Sequence, residues 1–444
     1  MERLPLLRGR SITLEDALED DDNILARLDY PKKQASFWSH LSARKTEIEA
    51  VVWFHLGVEH CRVSEEDSWL FGSYNVCIPV YINRSSACDA RTVLVRIPLP
   101  FKVGEAEHPG NVDEKLRCEV ATYIWMQENC PDVPIPSLFG FGFPDGQTVF
   151  YGTFTRISCH SVPMARETDR PVMARTTQIM VHIFVTNGRM LSESWRSSLR
   201  DDQTRRLNLF RDLSRIMLSL SRMPLPRIGS LTLDNHGVVR LTNRPLTLRL
   251  QTLENEGIPT TIPRESTYSS VEPYLLDLLG CHDSRIYHQP NSIHSLADGE
   301  QQLALTTMRA VLHHFTSREY RNGPFVLTLT DLHQSNIFVD DEWHITSLVD
   351  LEWACSFPIE LQCPPYWLSG RAVDDIEHGE PLETFGKIVS EFINIFEEQE
   401  REMRGPKSYQ APIMRQCWDR GSFWYFQAVH SPEGLYRIFN EHTQ

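Results

Sequence analysis

The stretch from Phe325 to Trp353, FVLTLTDLHQSNIFVDDEWHITSLVDLEW, constrains this chain more than any other. The apolar run Phe325-Val326-Leu327-Thr328-Leu329 reads as a short buried strand. A polar loop follows, Asp331 to Asn336. Ile337-Phe338-Val339 then turns at Asp340-Asp341 into a further strand, Ile345 to Val349, which ends on Asp350. Asp331, Asn336 and Asp350 all fall at strand-to-loop transitions, where a rigid scaffold presents functional groups.

Phosphoryl transfer from a magnesium nucleotide needs this order of residues. One Asp orients an accepting hydroxyl and takes its proton. An Asn five residues on, and an Asp at the end of the next hairpin, supply oxygens to a hard cation. Asp331, Asn336 and Asp350 match those roles in sequence and spacing. Asp-x-x-x-x-Asn alone is common in polar turns, so the hairpin and the offset of Asp350 carry the weight. A rival reading, a metal-dependent hydrolase using Asp331, His333 and Asp350, lacks a second histidine cluster to support it.

The motifs resemble those of the aminoglycoside phosphotransferase family, and most closely its large fungal branch. TDLHQSNIFVD is similar to the family's HGDLHPGNILVD, and LVDLEWA to its VIDWE segment. Where the family usually has His two residues before the catalytic Asp, this chain has Leu329, followed by Thr330. The resemblance implies an α+β, two-lobed protein-kinase-like fold, with a small β-rich N-lobe and a larger, mostly helical C-lobe. It implies ATP and Mg2+ as cofactors, Asp331 as the catalytic carboxylate, and Asn336 and Asp350 as metal ligands. The acceptor expected is a hydroxyl of an unidentified small molecule. The substitutions at 329 and 330 keep a second expectation open, a pseudokinase-type nucleotide-binding or scaffolding module without turnover.

A chain of 444 residues is too long for one ordinary core and suits two lobes plus an extension. Its hydrophobic content of 41% and charged content of 23% are those of a globular protein. A formal net charge of −15 argues against nucleic acid or anionic membrane as the main partner. No apolar run approaches a bilayer-spanning length. The first residues turn acidic at once, and the ten cysteines include no C-x-x-C pair, so a reduced cytoplasmic chain is expected.

Residues 1–65 read as a helical extension, with Ser36 as the cap of a helix running to about Leu56. Residues 66–156 read as the N-lobe and 157–444 as the C-lobe. Gly72, Ser73, Tyr74 and Asn75 join two strands in a turn whose backbone N–H groups would cover phosphates. By the resemblance, Arg96, the one charge on the strand Thr92–Ile97, would grip the phosphates. Glu119, beside the apolar stripe of a helix over 113–128, would pair with it; Glu114 is the local competitor. A strand over 149–157 would end at the hinge that meets adenine, near Thr155 and Ile157. Glu352 is expected either behind Asp350 or on the surface. Residues 243 to about 300 read as irregular, a candidate acceptor wall.

Overall fold

The computed structural model describes residues 3–20, 23–58, 60–83, 91–143, 148–150, 179–183, 188–198, 202–289, 299–407, 409–432 and 434–443. The chain opens with a ribbon of β1 (Leu4–Pro5) and β2 (Ser11–Ile12), then α1 (Leu14–Glu19), α2 (Ile24–Ser42) and α3 (Lys45–Leu56). The helix expected from Ser36 is thus two helices. Asn23 starts the first, its side chain accepting from the Ala26 N–H. The break falls at Ala43-Arg44, and Gly57, in the left-handed conformation, ends α3.

The strands β3 (His60–Val63), β4 (Leu70–Phe71), β5 (Asn75–Asn83) and β6 (Arg91–Pro98) come next. Helix α4 (Asn111–Asn129), β7 (Ser137–Gly142), β8 (Thr148–Phe150) and β9 (Ile179–Ile183) complete the smaller lobe. The sheet is antiparallel, in the order β3-β5-β6-β9-β7-β8, with β4 on the β5 edge. Alternate residues Val76, Ile78 and Val80 of β5 and Val93, Val95 and Ile97 of β6 are buried, and Ile48, Val51 and Val52 of α3 join their cluster. Arg96, between Val95 and Ile97, faces the other side of the sheet, toward α4. The strand beside β6 is therefore β9, whereas the described part of the expected 149–157 strand, β8, pairs only with β7.

The larger lobe begins with β10 (Arg189–Met190), α5 (Leu191–Ser198) and α6 (Gln203–Leu220). The hairpin β11 (Ser230–Leu233) and β12 (Val239–Asn243) leads to α7 (Leu248–Asn255), α8 (Val271–His288) and α9 (Gly299–Phe315). Residues 243–300, expected to be irregular, thus carry two helices. Helix α8 buries Val271, Tyr274, Leu275, Leu278 and Leu279, an apolar face at helical spacing. Next are β13 (Phe325–Leu329), β14 (Ile337–Val339), β15 (Ile345–Leu348) and β16 (Ala354–Pro358). Helices α10 (Glu380–Arg404), α11 (Gln410–Asp419), α12 (Ser422–His430) and α13 (Leu435–His442) close the lobe. The aromatic run Phe423 to Phe426 is buried on the lobe core. The architecture is two-lobed α+β: a β-rich lobe with one long helix, joined to a mostly helical lobe.

Two short ladders position the site. β13 pairs with β16, ending at Leu329 opposite Ala354, and β14 pairs with β15, starting at Ile337 opposite Leu348. The loops 330–336 and 349–353 leave these ladders side by side. Backbone hydrogen bonds stitch them at both ends, Thr330 N–H to Trp353 O at 3.1 Å and Val349 N–H to Asn336 O at 3.0 Å. Loops held this way leave their side chains little freedom to drift apart.

Candidate active site

Asp331, Asn336 and Asp350 converge between the lobes. Asn336 is buried, and its amide donates to the Asp331 main-chain oxygen at 2.9 Å and toward Asp331 Oδ2 at 3.5 Å. Asp350 has φ 59°, the left-handed region that Asp tolerates better than most residues. Such conformations persist where the surroundings enforce them and cluster at functional sites. The Asp350 side chain stays 41% exposed, so it faces the cleft rather than the core. The Thr330 hydroxyl donates to Trp353 O, in addition to the backbone bond from the same residue. Thr330 therefore braces the loop that Leu329, half-buried against the core, cannot reach with a polar group.

Above these residues lies a buried charge cluster. Arg96 Nη1 is 3.0 Å from Glu119 Oε1, and Arg96 Nη2 is 2.7 Å from Asp350 Oδ1. Arg96 Nη2 also pairs with Glu352. Lys115 Nζ meets Glu352 Oε2 at 3.1 Å and donates to Asn75 Oδ1 at 2.9 Å. The Asn75 amide donates to Glu352 at 3.2 Å. Lys115 and Glu119 lie one turn apart on α4, so they share a face. Two cations thus meet three carboxylates, and only Asp350 among them is open to the cleft. Glu352, 2% exposed, is no surface residue; it shares Arg96 Nη2 with Asp350 and ties the larger lobe to the sheet. Glu114 is engaged elsewhere, by Arg244 at 2.8 Å and Arg264 at 3.1 Å.

Lys115 is fully buried and was not singled out from the sequence. On α4 it reads as one more polar position, and its partner Glu352 is remote in sequence. Of the turn residues, Gly72 and Ser73 are exposed, and Gly72 N–H closes the turn on Asn75 O at 2.8 Å. Tyr74 packs its ring edge-on to Trp353 at 5.7 Å between centroids. Tyr74 and Asn75 thus point into the lobe junction. Thr155 and Ile157 lie outside the described residues.

The electrostatics follow from burial. Burial, then the charges of Glu352 and Asp350, push Asp331 up to about 7. Burial also raises Glu119, against the pull of Arg96. Burial acts on Glu352 in the same sense, but Arg96, Lys115 and their hydrogen bonds outweigh it and hold that carboxyl below its usual range. Burial lowers His333, and its Nδ1 accepts the Ser335 N–H at 3.1 Å. His333 Nε2 is 3.9 Å from Asp331 Oδ1, beyond hydrogen-bonding range. Among the described residues no three of His, Cys, Asp and Glu converge as a metal cluster.

A cavity of about 240 Å³ runs from Asp331 into the helical lobe. Its walls come from β13, the start of α7, the 361–367 loop and the end of α12. Asp331 is thus placed between a carboxylate-and-amide pair on one side and a half-open, mostly apolar space on the other.

No protein-family model matches the sequence, and no curated protein matches it. Among solved structures, the chain is similar to a macrolide 2'-phosphotransferase type I, with a TM-score of 0.38 and 11% identity over 90% of this chain and 98% of that one. It is also similar to an ethanolamine kinase of Plasmodium vivax, with a TM-score of 0.35 and 13% identity over 88% of this chain and 86% of that one.

Proposed function

We propose that the chain is a phosphotransferase that moves the γ-phosphoryl group of a magnesium nucleotide, ATP in the first instance, to a hydroxyl of a small molecule. The observation that carries this reading is the convergence of Asp331, Asn336 and Asp350 opposite the Arg96–Glu119 pair, with Asp331 opening on a cavity. The donor set fits a hard cation. The Asn336 amide nitrogen is committed to Asp331, which turns its carbonyl oxygen outward, and the Asp350 carboxylate is exposed. Asn336 and Asp350 would hold magnesium, which would neutralise charge developing on the phosphoryl oxygens. Arg96, kept charged by its carboxylates, would meet the nucleotide phosphates.

Asp331 orients the accepting hydroxyl and takes its proton on a carboxylate oxygen. A base poised near neutrality suits that task, and burial places Asp331 there. Asn336 fixes the direction of the carboxylate by holding the Asp331 main chain. A second reading, nucleotide binding without turnover, draws on Arg96 being shared among three carboxylates. Transfer of labelled phosphate from ATP with magnesium to a panel of small alcohols separates the two. The proposal expects turnover that Asp331→Asn lowers by roughly a hundredfold or more. Nucleotide binding with no transfer to any acceptor would leave the second reading.

A further inference from the structure

The cavity beside Asp331 has an uneven chemistry. Leu327, Ile216, Leu220, Phe357, Trp367 and Phe426 make most of its wall apolar. Among the described lining residues the only carboxylate is Asp331, and the only permanent cation is Arg249. His430 adds no charge. Its Nδ1 faces Phe426 O at 2.8 Å, its Nε2 faces the Tyr274 hydroxyl at 3.1 Å, and burial keeps it neutral.

Arg249 sits in the first turn of α7, just after the capping Thr247, and is half-buried. Among the described residues it makes no hydrogen bond or ion pair, unlike Arg244 five residues earlier, which two buried glutamates hold. It lines the same cavity as Asp331 and Tyr366, and its charge acts on both. The indole N–H of Trp367, 3% exposed, also lacks an acceptor among the described residues. Arg249 and the Trp367 indole are both donors without an acceptor, and Arg249 is the one that carries charge. An unpaired, partly desolvated guanidinium calls for an anion, and a carboxylate can take two of its N–H groups at once. An ammonium would find no counter-charge except the Asp331 carboxylate, which the proposed chemistry already uses.

We propose that the cavity takes a small hydroxylated carboxylic acid, with its carboxylate on Arg249, its hydroxyl at Asp331 and an apolar body among Leu327, Phe357 and Trp367. The role given to Asp331 rests on the phosphotransferase reading; the acid preference rests on Arg249 and the wall alone. A cavity of about 240 Å³ matches a body on the order of eight non-hydrogen atoms, at ~30 Å³ for each water-sized unit. The hydroxyl and the carboxylate belong near one another in the molecule, because Arg249 and Asp331 line one cavity and the Arg249 charge acts on Asp331.

The test uses the full chain without nucleotide and three probes of one length: octanoate, octan-1-ol and octylammonium. Calorimetric titration should give octanoate at least about tenfold tighter than octan-1-ol, with octylammonium weakest. Arg249→Gln should erase the preference for the acid while leaving octan-1-ol bound as before, and Arg249→Lys should keep much of it. The assignment is overturned if octylammonium binds best, if none of the three binds at millimolar concentration, or if Arg249→Gln leaves the acid preference intact. A separate arm offers 2-hydroxyoctanoate with magnesium and ATP. Acid-selective binding with no phosphorylated product keeps the cavity assignment and counts against the phosphotransferase reading alone.

Discussion

Replacing Asp331 with Asn should stabilise the protein, and the gain should depend on pH in a defined way. In the folded chain the carboxyl titrates at about 7 rather than 3.8, because burial and two neighbouring carboxylates disfavour its ionised form. The folded state therefore holds this proton more tightly than the unfolded state. Stability from the group is full below the unfolded value and is lost as pH rises through the folded one. Each tenfold change in the proton equilibrium is worth ~1.4 kcal/mol, so ionisation in place costs about 4 kcal/mol at pH 8. At pH 5 the buried group is protonated while the unfolded chain is not, and the difference falls to about 2 kcal/mol. Asn keeps the shape and cannot ionise. Asp331→Asn should raise the melting temperature of the nucleotide-free protein at pH 8 by a few degrees, at about 1–2 °C per kcal/mol for a chain this long. The gain should shrink to about half at pH 5. Parallel scanning-fluorimetry melts of both proteins at the two pH values measure it. A gain that is equal at both, or a loss at pH 8, would refute the claim that this carboxylate is held against its own ionisation.

Three other perturbations follow from the charge cluster and the sheet. Lys115→Met leaves Glu352 with one cation fewer and Asn75 without its donor, so urea denaturation should show a loss of about 3–5 kcal/mol; a loss below about 1 kcal/mol would mean the buried ammonium is dispensable. Arg96→Lys should keep the fold and weaken nucleotide binding by roughly tenfold, since a point charge replaces a fork, while Arg96→Ala, which strands Glu119 and Glu352, should melt well below the wild type; equal nucleotide affinity in Arg96→Lys would remove Arg96 from the phosphate site. Gly140→Ala would set a Cβ 2.0 Å from His55 Nδ1 and push α3 off the sheet, costing about 1–3 kcal/mol and exposing the N-terminal helices to protease; adding His55→Ala should recover most of the loss, and a double variant no better than the single one would contradict that contact.

The strand-loop-hairpin order of 325–350 was legible because each apolar run is short, is bounded by polar turn residues and ends on a residue with metal-ligand chemistry. The pairing of Arg96 with Glu119 rather than Glu114 was legible from helical spacing, since Glu119 borders the buried stripe of α4 and Glu114 turns toward Arg244. Lys115 was not, because burial of a lysine depends on a carboxylate, Glu352, that no local pattern places beside it. Helix α8 carried a readable i, i+3, i+4 apolar face that its flanking turn residues masked. The strand Ile179–Ile183 was not singled out, and its place beside β6 is a matter of long-range pairing, which hydrophobic pattern alone does not specify. The start of α2 escaped because Asn23 caps it within an acidic stretch, and the helix runs through Pro31, a residue that disfavours helix interiors.

The central claim is that Asn336 and Asp350 form a magnesium–nucleotide site facing Asp331, and the melting temperature with and without ligand tests it most directly. A ligand bound only by the folded state stabilises it by about 2.7 kcal/mol at a hundredfold excess over Kd. The account predicts a rise of a few degrees with ATP and magnesium together, a smaller rise with ATP and a chelator, and little added effect of magnesium in Asp350→Ala. A wild-type melt unmoved by millimolar magnesium with ATP, GTP or other nucleotides would contradict it.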